Sequence, residues 1–308
     1  MADVGIWKID NNAAARLAKS NISEYADQRM KNTNVAFIQM ADPQFGMYSA
    51  VSKLSDSDKA ERRERGINIE YTGPVLEGFA KETLLFTEAI ETANKINPDF
   101  IVICGDMVHD ANSKEQFQEL MRISRLLKEE IKLYWVAGNH DVGDRPTQAA
   151  LNKYKKRFGE YNYSFQKKNC YFIVLNSAIC HDPGLVPDEW NILISFLERE
   201  LQSAVSSQYK HKIIFMHHPL YLNDPNEGDN YLVIPSERRS KIIDLITAYE
   251  VSVVFTGHLH KNNYKKIGNT ELVSTGPVGF PVGDDPSGIR HVQVDDNSLT
   301  HEYSILFS

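Results

Sequence analysis

Five short segments of the 308-residue chain carry side chains that bind cations or move protons. They are Asp42-Pro43-Gln44, Gly105-Asp106-Met107-Val108-His109, Gly138-Asn139-His140-Asp141, His217-His218-Pro219 and Gly257-His258-Leu259-His260. Carboxylate, amide and imidazole donors form a mixed oxygen and nitrogen set. That set suits Mn, Fe, Zn or Mg better than thiolate-loving metals. An isolated H-x-H pair reads most simply as two solvated loop histidines. Five such segments in one chain point instead to a shared site. The donors suffice for two metals sharing one carboxylate. Metal pairs about 3.5–4 Å apart clamp the attacking and leaving oxygens of a phosphoryl displacement.

Each segment follows a short apolar run: Val35–Ile38, Phe100–Cys104, Leu133–Val136, Lys212–Met216 and Val251–Phe255, with a further run at Tyr171–Leu175. Rich in β-branched and aromatic residues and bounded by turn residues, these runs predict buried strands. Helical periodicity lies between them, at Glu77–Ile96, Ser113–Glu130, Pro187–Ala204 and Ser236–Tyr249. Ser113 and Gln116 form a capping-box pair, and Pro187 sits near a helix start. Glu271–Phe307 reads as strand-rich. The alternation predicts an α/β fold with a mixed second sheet. Ligands in such folds bind beyond the carboxyl ends of the strands. If the chain stays extended past Phe255, the period of two places His258 and His260 on one side.

No linker interrupts residues 34–308, which read as a single domain; residues 1–33 read as a polar extension with a peripheral helix over Asn12–Met30. Two long connections, Gln44–Pro74 and Tyr221–Pro235, fit either functional loops or tolerated surface insertions. The balance of 34 basic and 41 acidic residues, net charge -7, disfavours a nucleic-acid binder. The run Glu61-Arg62-Arg63-Glu64-Arg65 is mixed in sign and reads as a solvated face. Arg145 and Arg290 could bind phosphate or serve surface salt bridges. His109, His181, His211, His291 and His301 match no ligand position and read as surface or satisfied histidines. Cys104, Cys170 and Cys180 form no paired framework, which fits a reducing compartment. With no signal-peptide pattern and no apolar run near the roughly 18 residues of a span, a soluble cytoplasmic protein without membrane contact is expected.

The order D-x-Q, GD-x-x-H, GNHD, H-x-P, GHLH resembles the calcineurin-like metallophosphoesterase superfamily, whose usual pattern is D-x-H, GD, GNH(D/E), H, GH-x-H. The stretches ADPQFG, GNHDVGDRPT and DPSGIR narrow the resemblance to a branch of serine/threonine protein phosphatases. The resemblance implies a four-layer sandwich, two facing mixed β-sheets flanked by helices. It implies two divalent metals: Asp42, Gln44, Asp106 and His260 on the first, and Asp106, Asn139, His217 and His258 on the second. Of the pair His217-His218, the first matches the family ligand and the second fits an outer role. His140 would stabilise the transition-state oxygen or protonate the leaving group, with Asp141 orienting and charging it. The implied reaction is hydrolysis of phosphoserine or phosphothreonine by a metal-bridging hydroxide.

The departure from the pattern is Gln44, which stands where the superfamily carries histidine. Its carbonyl is a weaker, uncharged ligand. It either coordinates or contacts a metal-bound water. The partners implied are a phosphoprotein or a small phosphomonoester such as free phosphoserine. Cyclic-nucleotide phosphodiesterase and non-catalytic module are the competing readings. The presence of His140 and of all but one motif position disfavours the second.

Overall fold

A computed structural model describes residues 35–283 and 285–307. The helix expected over Asn12–Met30 and the extension 1–33 lie outside the described residues. The first part of the chain runs β1 (Val35–Met40), α1 (Met47–Ser52), α2 (Asp56–Glu64), α3 (Ala80–Ile96), β2 (Phe100–Cys104), α4 (Lys114–Ser124) and β3 (Lys132–Val136). The middle runs α5 (Asn139–Val142), α6 (Gln148–Phe158), β4 (Tyr163–Lys167), β5 (Cys170–Val174), α7 (Ser177–His181), α8 (Pro187–Ser206) and β6 (His211–Phe215). The last part runs α9 (Ser236–Ala248), β7 (Val253–Thr256), β8 (Asn263–Ile267), β9 (Thr270–Ser274), β10 (Gly288–Val294) and β11 (Leu299–Ile305).

The strands form two mixed sheets, ordered β11-β10-β1-β2-β3 and β4-β5-β6-β7-β9-β8. The central strands are parallel in each: β1, β2 and β3 in the first, and β5, β6, β7 and β9 in the second. Alternation of side chains explains why these runs are apolar throughout. Val35, Phe37, Phe100, Val102, Phe172, Ile213, Phe215, Val253 and Phe255 fill the space between the sheets. Their neighbours Ile38, Ile101, Ile103, Ile173, Ile214 and Val254 face the helices. Phe37 stacks on Phe100 at 4.7 Å and meets Phe172, Phe215 and Phe255 edge-on at 5.8, 5.6 and 6.0 Å. Such aromatic contacts add directional preference to burial. They fix how the strand ends of one sheet stand against those of the other.

Most local signals were legible in the sequence. Pro187 occupies the first turn of α8, and Ser113 Oγ caps α4 by accepting from the Gln116 amide at 3.2 Å. Only half of the expected capping box forms, because the Gln116 side chain accepts from the Asp110 amide instead. The connection Gln44–Pro74 holds two helices that the sequence reading left as loop. No helix among the described residues is long and apolar enough to cross a membrane, and all three cysteines are free and buried.

Candidate metal centre

The parallel strands of both sheets deliver the motif residues to one end. Asp42 and Gln44 follow β1, Asp106 follows β2, and Asn139, His140 and Asp141 form α5 after β3. His217 follows β6, and His258 and His260 follow β7. All of these except His140 are buried. Asp42, Asp106 and His260 gather donor atoms within 4.8 Å of one another, and so do His217, His218 and His258. Asp106 Oδ2 lies 3.3 Å from His217 Nε2, and Asn139 Oδ1 lies 3.0 Å from it, so Asp106 stands between the groups.

The chain does not stay extended past β7. His258 and His260 have φ of 68° and 52°, and their rings turn to different donor groups. Asp42, Gln44 and Asp106 are also left-handed, at φ 48°, 33° and 52°. Thus five of the nine described non-glycine residues with positive φ belong to this one site. Backbone held in a sparsely populated region persists only where the surroundings enforce it, and functional sites concentrate it. Here the bends are held by cross-loop bonds. The His258 amide donates to Asp42 Oδ2 at 3.0 Å, and the His140 amide donates to Asp106 Oδ1 at 2.9 Å.

Hydrogen bonds also decide which ring nitrogen of each histidine is free. His217 Nδ1 faces the Cys104 carbonyl at 2.8 Å, His260 Nδ1 the Phe280 carbonyl at 2.5 Å, and His258 Nε2 the Tyr231 carbonyl at 3.3 Å. A carbonyl only accepts, so each of these nitrogens carries the proton. The lone pair is left on His260 Nε2 and His258 Nδ1, and His217 turns Nε2, which carries a proton only in the imidazolium, toward the same site, as metal-ligating histidines require. Asn139 is oriented in the same way. Its Nδ2 donates to Asp144 at 2.8 Å and Tyr231 Oη at 3.0 Å, freeing Oδ1.

His218 is set the other way. Ser177 Oγ accepts from the amides of His217 and His218 at 3.0 and 2.8 Å, so its own proton goes to His218 Nδ1 at 2.9 Å. The neutral His218 ring then carries its proton on Nε2 and has no lone pair to offer a metal. The geometry therefore separates the two adjacent histidines, with His217 turned as a ligand and His218 as a support.

The charges fit divalent cations. Asp42, Asp106 and Asp141 are all buried, and among the described residues none pairs with Lys or Arg. Burial pushes the Asp42 carboxyl well up, despite the nearby His217. Burial opposes the charge on His217 too, but Asp106 and Asp42 lift it to about 9. One imidazolium is a poor match for three buried carboxylates, and bound cations are the usual remedy. Gln44 Oε1 is a second sign, since it is buried with no hydrogen-bond partner. Buried acceptors are rarely left so without a function.

Two glycines make the close approach feasible. A β-carbon on Gly138 would stand 2.2 Å from Asp106 Oδ1, and one on Gly105, at φ +87°, would stand 2.3 Å from His217 Nδ1. Gly138→Ala is therefore expected to lower metal occupancy measured by elemental analysis, with the backbone fold retained by circular dichroism. Full occupancy would show that Asp106 can yield without loss.

Asp141 departs from its expected role. Its carboxylate accepts from the amides of Gly138, Asp106 and Met107 at 2.9, 2.9 and 3.1 Å, so it organises the loops after β2 and β3. It makes no hydrogen bond to the His140 ring; His140 Nδ1 faces the His109 carbonyl at 2.8 Å instead. The His109 ring stacks on His140 at 4.8 Å. His109 is thus a working neighbour that carries no ligand signal in the sequence beyond following Asp106 by three residues. Arg145 pairs with Asp182 at 2.8 Å, and Arg290 donates to Thr275, Asn262 and His301. Neither borders the opening over the site. A cavity of about 240 Å³ opens over the site, bordered by Gln44, Asp106, His140, His258 and His260. Both long connections wall it, through Arg62 and Ile67 from the first and Tyr231 and Leu232 from the second.

A family model described as calcineurin-like phosphoesterase matches residues 77–262, which span Asp106 to His260. The chain is 31% identical over 273 residues to the serine/threonine-protein phosphatase CPPED1 of Rattus norvegicus, covering 87% of this chain and 82% of that protein. It is 32% identical over 274 residues to the Homo sapiens protein of the same name, with the same coverage. Among solved structures, a dimetal phosphatase from Danio rerio is 14% identical and superposes with a TM-score of 0.61 over 88% of this chain and 96% of that one. At that identity the likeness is one of fold.

Proposed function

The chain belongs to the calcineurin-like phosphoesterase family, and from that premise we propose a phosphomonoesterase acting on phosphoserine or phosphothreonine in proteins. It is a hydrolase of the metal-dependent phosphoesterase type. The observation that carries the reading is that Asp106 and His260 from one donor group, His258 from the other, and His140 border one small cavity. A phosphorylated protein side chain as substrate is in line with the names the relatives carry. The inter-sheet core shared by both sheets supports reading 34–308 as one catalytic unit. Three free buried cysteines fit a cytoplasmic setting.

In this reading Asp42, Gln44, Asp106 and His260 hold one divalent ion, and Asp106, Asn139, His217 and His258 hold the other. When bound, Mn, Fe, Zn or Mg supplies a water of lowered pKa and neutralises charge on the phosphoryl oxygens. The protein's part is to position and to move protons. His140 Nδ1–H is committed to the His109 carbonyl, so Nε2 is the nitrogen left to meet the substrate. Protonated there, it donates to a phosphoryl oxygen or to the leaving alkoxide. Asp141 acts on the loops, holding the amides of Asp106 and Gly138 in place.

The test is phosphate release by metal-stripped protein, with and without Mn, from a phosphoserine peptide, free phosphoserine and an aryl phosphodiester. Mn-dependent release from the peptide is expected to dominate. Dominance of free phosphoserine would move the substrate to a metabolite, diester hydrolysis alone would favour a phosphodiesterase, and silence with metals bound would favour a non-catalytic module. Calorimetric titration of the stripped protein with Mn is expected to resolve two unequal affinities, because Gln44 offers only a neutral carbonyl. Gln44→His should bring them together. Two equally tight sites in the unaltered protein would remove Gln44 as the weak ligand.

A further inference from the structure

One wall of the cavity is built by none of the ligand loops. It comes from α2 and the turn after it, inside the connection Gln44–Pro74. Ser55 and Asp58 cap α2 reciprocally, with Ser55 Oγ accepting from the Asp58 amide at 3.2 Å and Asp58 accepting from the Ser55 amide at 2.9 Å. At its other end Arg65 is braced on both sides. Its guanidinium lies 4.2 Å over the Tyr231 ring and 3.7 Å from Asp144. Those two residues are the ones that orient Asn139. The helix is thereby tied to the floor of the site.

The three arginines of the run have different fates. Arg65 is braced as described, and Arg63 Nε donates to the Lys59 carbonyl on an exposed face. Arg62 is partly buried; its guanidinium makes no hydrogen bond or ion pair among the described residues, and its charge acts only at longer range on the exposed Asp58 one turn back. It borders the cavity together with Asp106, His140 and His260, and its charge reaches His109, the ring stacked on His140. A planar cation kept partly out of water beside a hydrolytic site, with its donors unspent, matches the needs of an oxyanion.

We propose that Arg62 binds the phosphoryl group, its guanidinium fork meeting non-bridging oxygens of a phosphomonoester dianion or of the released phosphate. The assignment rests on the phosphatase reading for the substrate, though not for the anion itself. A monoester offers more free oxygens and more charge than a diester, so Arg62 also discriminates between them. The residue that the sequence assigned to a solvated face is then the one that selects the substrate class.

The experiment titrates inorganic phosphate into Mn-loaded protein by calorimetry, for the unaltered chain, Arg62→Ala, Arg62→Lys and Arg63→Ala. Arg62→Ala is expected to weaken phosphate binding about 10- to 100-fold, the scale of charge-assisted hydrogen bonds. KM for the phosphoserine peptide should rise by a similar factor, with a smaller change in kcat. Arg62→Lys, which keeps the charge and loses the fork, should fall between, and Arg63→Ala should match the unaltered chain. Equal phosphate affinity in Arg62→Ala and the unaltered chain overturns the proposal, as does absence of phosphate binding by the unaltered chain. Arg62-dependent phosphate binding without monoester hydrolysis would uphold the anion site and sink the phosphatase reading. Hydrolysis that Arg62→Ala leaves untouched in KM and phosphate affinity would do the reverse.

Discussion

His140→Ala is expected to cut kcat on a phosphoserine peptide by about a hundred- to ten-thousand-fold, the range for losing a positioned general acid. Metal content should stay at the unaltered level. The reason is that His140 serves the site through two separable parts. Its backbone amide holds Asp106 Oδ1 at 2.9 Å, and that bond survives truncation of the ring. Its ring is anchored at Nδ1 by the His109 carbonyl and otherwise borders the cavity. Steady-state kinetics beside elemental analysis checks both halves. An unchanged kcat would remove the ring from the reaction, and a fall in metal content would make it a structural support. Asp141→Asn gives the contrast. Its three backbone donors predict loosened loops and weaker metal binding.

Asp106→Asn carries the second large effect, with losses in both function and stability. Asp106 stands between the two donor groups, 3.3 Å from His217 Nε2. Loss of residues that merely support metal ligands already costs about 10- to 100-fold in affinity or activity. Removing the carboxylate that stands between the two donor groups should therefore cost more than about a hundredfold in kcat/KM and lower the bound-metal content. Without metal, the same substitution removes the buried partner of His217: although burial opposes its charge, the nearby His217 holds the Asp106 carboxyl well below the usual carboxylate range. Breaking a buried ion pair by removing one partner leaves the other charge uncompensated. The metal-free variant is expected to melt at least about 2 to 4 °C below metal-free unaltered protein, roughly 1 kcal/mol for a chain of this class. Calorimetric melting of both stripped proteins measures this. A midpoint at or above that of the unaltered protein would mean that the Asp106 carboxylate serves the metals alone, and that its contacts to the His140 amide and His217 add nothing to the fold.

These two effects trace to features of unequal visibility. Residue types at strand ends were plain in the sequence, because strand-forming runs are local and the donors follow them within a few positions. The same holds for the α/β alternation, which reflects strands that face a second sheet on one side and helices on the other. Local reading failed inside Gln44–Pro74, where α2 is a polar, mostly exposed helix with no apolar stripe to announce it. It left Arg145 and Arg290 between phosphate binding and salt bridging, and the fold pairs Arg145 with Asp182 and Arg290 with Thr275 and Asn262, away from the cavity.

The sequence alone determined the α/β class, the donor chemistry and the order of the motifs, since each depends on residue types close together in the chain. Only the tertiary structure decided which histidine nitrogen is free, that Ser177 turns His218 away from ligation, that Asp141 binds loops instead of His140, and that Arg62 faces the cavity. The physical reason is that those outcomes are set by carbonyls, hydroxyls and amides arriving from distant segments. Cys104, Phe280, Tyr231, His109 and Ser177 act through groups that no motif spacing records.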